Sequence, residues 1–269
     1  MHIDSEVHFW KYGKSLLNPF IRNNKVLQQD YLPEHLSQSL NRNKIDGCIA
    51  VVSENAEVET RFLSELAITH PLISAVTGWI NLYEPKAGEK IREFQQYKPI
   101  HGYRIDIRKD PFSSTGVMEI FAENQYCLDI AIGPETDMDS LSKWMNEWPD
   151  QQFILRDCAN PDAKNAPSKI WASTIRELAK NQNLSCKLSG LFMSGNWKSW
   201  KPADFYPFLE ILYESFGSER LLYASDWPFL LVAGIYIQWK SLLEKYFERY
   251  SIDDQDKIFG ENAARIYRL

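Results

Sequence analysis

The sequence has no run of about 18 or more consecutive apolar residues, so nothing in it reads as a membrane-spanning helix. Its start has neither the basic region nor the short apolar region of a secretory signal. Positive charge is also scarce: 30 Lys and Arg against 36 Asp and Glu leave a formal net charge of -6. The basic residues are interspersed with acidic ones and form no stripe, which argues against a nucleic-acid or anionic-membrane partner. Only four cysteines occur, Cys48, Cys127, Cys158 and Cys186, and none is in a C-x-x-C pair. Cys48, Cys127 and Cys186 sit in apolar strand-like runs, where a thiol acts as a small hydrophobe. The expectation is four free cysteines in a cytoplasmic protein. No Pro/Gly-rich linker divides the chain. No G-x-G-x-x-G follows an early strand, so a dinucleotide-binding, doubly wound sheet has no support.

What is present suits a packed globular protein: 269 residues, 44% hydrophobic and 13% aromatic, enough for one large domain and short for two. A single domain over residues 1–269 that handles a small molecule, as monomer or homodimer, is the expectation. Apolar strand-like runs alternate with amphipathic stretches from end to end. The strands are expected at MHIDSEVHF, DGCIAVV (46–52), ISAVTGWI (73–80), HGYRIDI (101–107), CLDIAIG (127–133), QFILRD (152–157), LSCKLSG (184–190) and RLLYASD (220–226). Between and after them lie helical patterns such as AEVETRFLSELAITH and SKIWASTIRELAKNQ. Pro33 and Pro202 stand where a first helical turn tolerates a missing N–H, and Thr136-Asp137 is placed to cap MDSLSKW. This alternation predicts an α/β fold, a (β/α)8 barrel.

A barrel of this kind gathers reactive groups at the C-terminal ends of its strands. That rule selects Glu6 and His8 from the first strand, Arg104 and Asp106 from the fourth, and Asp157 from the sixth. Lys187 and Ser189 come from the seventh, and Asp226 from the eighth. Arg104, Asp106 and Arg108 alternate along one strand face, where an ion-pair ladder is the plain reading for the last two. Cys158 has no neighbouring histidine in sequence and reads as an inert thiol. Trp197, Trp200 and Trp227 suit either packing or the walls of an apolar pocket.

Several motifs together resemble the amidohydrolase superfamily, in particular its amidohydrolase-2 group of lactonase-like barrels. They are IDSEVHFW, GYRI, FILRDCANPD, CKLSGL, LLYASDWPFLLVAGIY and IFGENAARIYRL, and they span nearly the whole chain. The resemblance implies a barrel of the metal-dependent-hydrolase type and the hydrolysis of sugar lactones or related cyclic esters. The family pattern puts His-x-His at the first strand, Asp-His at the sixth and often Arg-His at the fourth. Here those places hold Glu6-Val7-His8, Arg156-Asp157 and Arg104-Ile105. Only His8 and Asp226 stand where the family expects them.

Three readings follow. In the first, Asp226 activates water without metal, Lys187 and Arg104 stabilise the oxyanion, and His8 orients the water. No cofactor is then needed. The alternative within it is zinc or manganese held weakly by Glu6, His8, Asp157 and Asp226. In the second, the pocket is repurposed, by drift or by engineering, with Glu6 or Asp157 as a metal-free base among Val7, Ile105, Ala131, Phe229 and Leu230. In the third, the barrel binds a small molecule without turning it over. Arg104, Arg156, Trp227, Phe229 and Trp197 are the expected substrate contacts in each.

Overall fold

The computed structural model describes residues 1–13, 18–106, 116–133 and 135–269. Arg108 and the side chain of Asp106 lie outside the described residues, so the expected ladder beyond Arg104 does too. Eight strands are present: β1 (Ile3–Val7), β2 (Gly47–Val51), β3 (Ile73–Trp79), β4 (Ile100–Asp106), β5 (Cys127–Ala131), β6 (Phe153–Leu155), β7 (Leu184–Leu188) and β8 (Leu221–Tyr223). Each pairs in parallel with the next, in sequence order. The ring closes where the chain beyond β8 returns to β1. His8 N–H donates to the Trp227 carbonyl at 2.7 Å, and Asp226 N–H to the Glu6 carbonyl at 2.9 Å. This is a (β/α)8 barrel.

Two apolar layers follow from strand alternation. Ile49, Val51, Ala75, Cys127, Ile154 and Leu222 point into the barrel, and Ala263, Ile266 and Tyr267 of the C-terminal helix (Asn262–Tyr267) pack with them. Residues of the opposite parity, among them Cys48, Ala50, Leu128, Phe153 and Cys186, face the surrounding helices. Strict alternation fails in β1. Ile3 belongs to the interior layer, yet Glu6, three residues on, reaches inward to Arg156. The register against β2 slips between Asp4 and Val7, a bulge that supplies the extra residue.

The helices start as their sequences dictate. Pro33 and Pro202 open Pro33–Arg42 and Pro202–Phe216, and Asp137 caps Met138–Glu147 by accepting from the N–H groups of Asp139 and Ser140. Among the described residues, no helix is long and apolar enough to cross a membrane. Strands six and eight are shorter than expected. Arg156, Asp157 and Asp226 fall beyond them, because Asp157 and Asp226 turn into left-handed backbone that ends the ladder.

Candidate functional site

The inward parity that carries Ile154 and Leu222 also carries the polar groups one step further toward the strands' C-terminal ends. Arg104 leaves β4, Asp129 sits in β5, Arg156 and Asp157 follow β6, and Lys187 and Ser189 come from β7 and just beyond. Glu6 and His8 come from β1, and Asp226 from the turn after β8. The structure brings these side chains into one cluster.

His8 is fixed at both ring nitrogens. Its Nδ1 lies 2.8 Å from the Val51 carbonyl, an acceptor only, so Nδ1 carries the proton and Nε2 presents a lone pair. That Nε2 is 3.1 Å from Asp226 Oδ1. Burial pushes the His8 imidazole down to about 4, with Arg104 and Arg156 opposing its charge and Glu6 favouring it. Burial likewise drives Asp226 well above the ordinary carboxylate value, and the carboxylates of Asp157 and Glu6 add to the shift.

Glu6 has the opposite balance. Burial alone would raise it, but Lys187 and then Arg156 hold it below the usual carboxylate range. Its Oε1 is 3.3 Å from Arg156 Nε, and its Oε2 accepts from Ser189 Oγ at 2.8 Å. The Ser189 hydroxyl also lies 3.1 Å from Asp157 Oδ1 and accepts from Asp157 N–H at 3.2 Å. Arg156 Nη2 approaches Asp157 Oδ2 at 3.3 Å. Arg156 is thus the internal partner of both Glu6 and Asp157, and these two anions keep it protonated against the cost of burial.

Lys187 takes a partner that the sequence did not single out. Its Nζ pairs with Asp129 Oδ2, both side chains are fully buried, and Asp129 Oδ1 accepts from Tyr267 Oη at 3.2 Å. An acid inside the apolar run CLDIA is the signal that was available for it, since such a group must find a cation. Asp4 was missed as well. It faces away from the barrel axis and accepts from Ser225 N–H and Tyr236 Oη, each at 2.8 Å.

Above the cluster lies a cavity with two lobes. The outer, of about 670 Å³, is bordered by Asn18, Ser53, Glu54, Ile105, Ala131 and Ile132. The inner, of about 310 Å³, reaches His8, Asp226, Phe20, Met193 and Phe229. Asn18, Ser53, Arg104, Arg156, Asp157 and Asn160 line both. The Ser53–Glu54 wall is held by Glu59, whose carboxylate accepts from Ser53 N–H and Oγ–H and from Glu54 N–H. Arg104 donates from Nη1 to the Val52 carbonyl at 2.6 Å, and burial brings its guanidinium down to about 10. Phe229 stands edge-on to His8, with ring centroids 4.9 Å apart.

The expected walls need correction. Trp227 lines neither lobe. Its carbonyl pairs with His8 in the seam, so its side chain turns outward and packs against Phe9 and Tyr31. Trp197 is at the rim, 38% exposed, against Phe20, and Trp200 packs on Phe192. Of the apolar mouth positions, Ile105, Ala131 and Phe229 line the cavity, while Val7 and Leu230 are fully buried in the outer layer. Glu6 and Lys187 lie beneath the cavity floor and do not line it. Cys158 is buried, and burial pushes its thiol well up, as an inert thiol requires.

Glu6, His8 and Asp226 each offer a ligand atom, and the three atoms lie within 4.8 Å of one another. Two carboxylates and an imidazole fit a divalent cation such as zinc or manganese, and the Val51 carbonyl orients His8 as a second-sphere group would. Arg156 and Ser189 already occupy Glu6, however, so a cation would compete with them. The cluster also balances without one. Glu6, Asp157 and Asp129 face Arg104, Arg156 and Lys187 one for one when His8 is neutral and Asp226 is protonated.

The chain is 30% identical to an L-fucono-1,5-lactonase of Burkholderia multivorans, across 100% of this chain and 96% of that one. It is 25% identical to an L-fucono-1,5-lactonase of Burkholderia ambifaria, across 99% and 95% of the two chains. The crystal structure of an amidohydrolase from Burkholderia multivorans with bound zinc superimposes with a TM-score of 0.87 at 27% identity, covering 100% of this chain and 99% of that one. The protein family described as Amidohydrolase matches residues 3–269. From Ile3 to Leu269, the chain belongs to the amidohydrolase family.

Proposed function

We propose that the protein hydrolyses a polyhydroxylated cyclic ester, a sugar lactone of the kind its lactonase relatives are named for. One observation carries the reading: the His8–Asp226 pair forms the floor of the inner lobe, with the Arg104 and Arg156 guanidiniums on the same wall. Asp226 takes a proton from water as the water oxygen bonds to the ester carbon. The carbonyl oxygen becomes an oxyanion, which Arg104 and Arg156 stabilise electrostatically. The bond from that carbon to the ring oxygen then breaks, and Asp226 returns its proton to the departing alkoxide. His8, held in one tautomer by Val51, presents a lone pair that accepts from the Asp226 carboxyl once it has taken the proton.

A divalent cation would sit on Glu6, His8 and Asp226, and when bound it would polarise the ester carbonyl and acidify water. Lys187 acts from below, by keeping Glu6 ionised. Glu6 itself makes a poor base. It is fully buried, engaged at both oxygens and held below the usual carboxylate range. The test is proton release from a panel of sugar 1,4- and 1,5-lactones. Turnover by the protein that is lost in Asp226→Asn supports the reading, and no turnover from either, with or without zinc, would sink it.

A further inference from the structure

Four consecutive residues, none of them glycine, hold left-handed backbone: Asp157, Cys158, Ala159 and Asn160 have φ of 52, 48, 61 and 48°. An L-residue there presses its Cβ toward a backbone oxygen, so such a run forms only where the surroundings force it. They do so here. Trp171 Nε1 donates to the Cys158 carbonyl at 2.8 Å, and Asp157 N–H is held by Ser189 Oγ. Gly190, at φ 75°, makes room on the other side, since a Cβ there would lie 2.7 Å from that of Asp157.

The run ends on Asn160, which lines both lobes of the cavity, as Arg104 and Arg156 do. Among the described residues, its carboxamide has no hydrogen-bond partner. Glycine would suit the backbone better, because it takes φ > 0 without penalty. Asn160 is exposed at the edge of the cavity, and its carboxamide adds two donors and an acceptor there, a match for hydroxyls that both give and take hydrogen bonds.

We propose that Asn160 is a specificity-determining residue that hydrogen-bonds a ring hydroxyl of the polyhydroxylated cyclic ester. This rests on the lactone reading above. The strained turn carries Asn160 to the edge shared by the two lobes.

Asn160→Gly tests it cleanly, since it removes the carboxamide and keeps the left-handed backbone. The probes are a sugar 1,5-lactam, which resists hydrolysis, and its monodeoxy analogues, with binding measured by calorimetry. The variant should melt no earlier than the wild type and bind the lactam about tenfold more weakly, the range of one neutral hydrogen bond. One monodeoxy analogue should lose the same factor on the wild type and nothing further on the variant. Equal binding of every lactam by both proteins would overturn the proposal, as would a wild type that binds none of them. Lactam binding that depends on Asn160, without turnover of the matching lactone, would uphold it and sink the hydrolase reading instead.

Discussion

His8 Nε2 and Asp226 Oδ1 stand 3.1 Å apart across the seam that closes the barrel. Neither side chain is placed by a regular strand ladder. Asp226 is held through its own N–H on the Glu6 carbonyl, and His8 through its N–H on the Trp227 carbonyl. Two reciprocal backbone bonds therefore set the distance between carboxyl group and imidazole, so the fold's closure and the proposed chemistry share the same residues.

Asp226→Asn keeps the volume and removes the proposed base. The expected result is a fall in kcat of about 10²–10⁴-fold with KM little changed, read by proton release on the most active lactone. Unaltered kcat would assign the base elsewhere.

The pH dependence follows from the same pair. Asp226 must be ionised to accept a proton, and burial with Asp157 and Glu6 nearby raises its pKa above the ordinary 3.8. Activity should therefore be lost as pH falls through a value above 3.8, not at it. His8, pushed down to about 4, is neutral once the pH is well above that value. The check is kcat/KM against pH. An acid limb centred at or below 3.8 would contradict the assignment.

Metal removal should matter little. Arg156 and Ser189 hold both oxygens of Glu6, and His8 and Asp226 are hydrogen-bonded to each other, so a cation would displace partners at every ligand of the trio. Protein treated with chelator should keep most of its turnover, and Arg156→Gln should bind zinc more tightly than the wild type, by calorimetry. Stoichiometric metal whose removal abolishes activity would make the cation part of the machinery.

Lys187 and Asp129 form a fully buried ion pair, so removing one partner strands the other. Lys187→Met should cost about 3–5 kcal/mol in urea unfolding. Lys187→Met with Asp129→Leu should recover much of that loss. A double variant no more stable than the single one would show that Lys187 supports the barrel in some other way.

The barrel was legible because eight apolar runs alternate with amphipathic ones, and the same parity that buries Ile154 and Leu222 carries Arg104, Lys187 and Ser189 inward. Glu6, His8 and Asp226 could be picked out by strand-end position, and they meet within 4.8 Å. Partner choice was not legible. Lys187 pairs with Asp129, two strands away in the ring, and nothing in either local sequence records that register. The left-handed run at Asp157–Asn160 was equally hidden, since non-glycine residues carry no local mark of positive φ when tertiary contacts impose it. By sequence, Trp227 suits either packing or a pocket wall, and it stands among the expected substrate contacts. Its carbonyl instead pairs with His8 N–H in the seam, just past the left-handed turn at Asp226, and its side chain packs outward against Phe9 and Tyr31.

Asp4 supplies the last prediction. It is fully buried and accepts from Ser225 N–H and Tyr236 Oη, while burial raises its carboxyl from 3.8 to about 6. Between these values the folded chain binds a proton more tightly than the unfolded one, so stability falls as pH rises through the window. The ionisation cost is small near pH 4 and fully present above about 6, where a rise of about two units corresponds to roughly 3 kcal/mol. Asp4→Asn keeps an oxygen for the Ser225 and Glu6 amides and removes the charge. Urea unfolding at pH about 4.5 and about 8 measures the difference, and the stability of the variant relative to wild type should improve at the higher pH. An offset equal at both values would mean that Asp4 does not carry the buried charge inferred for it.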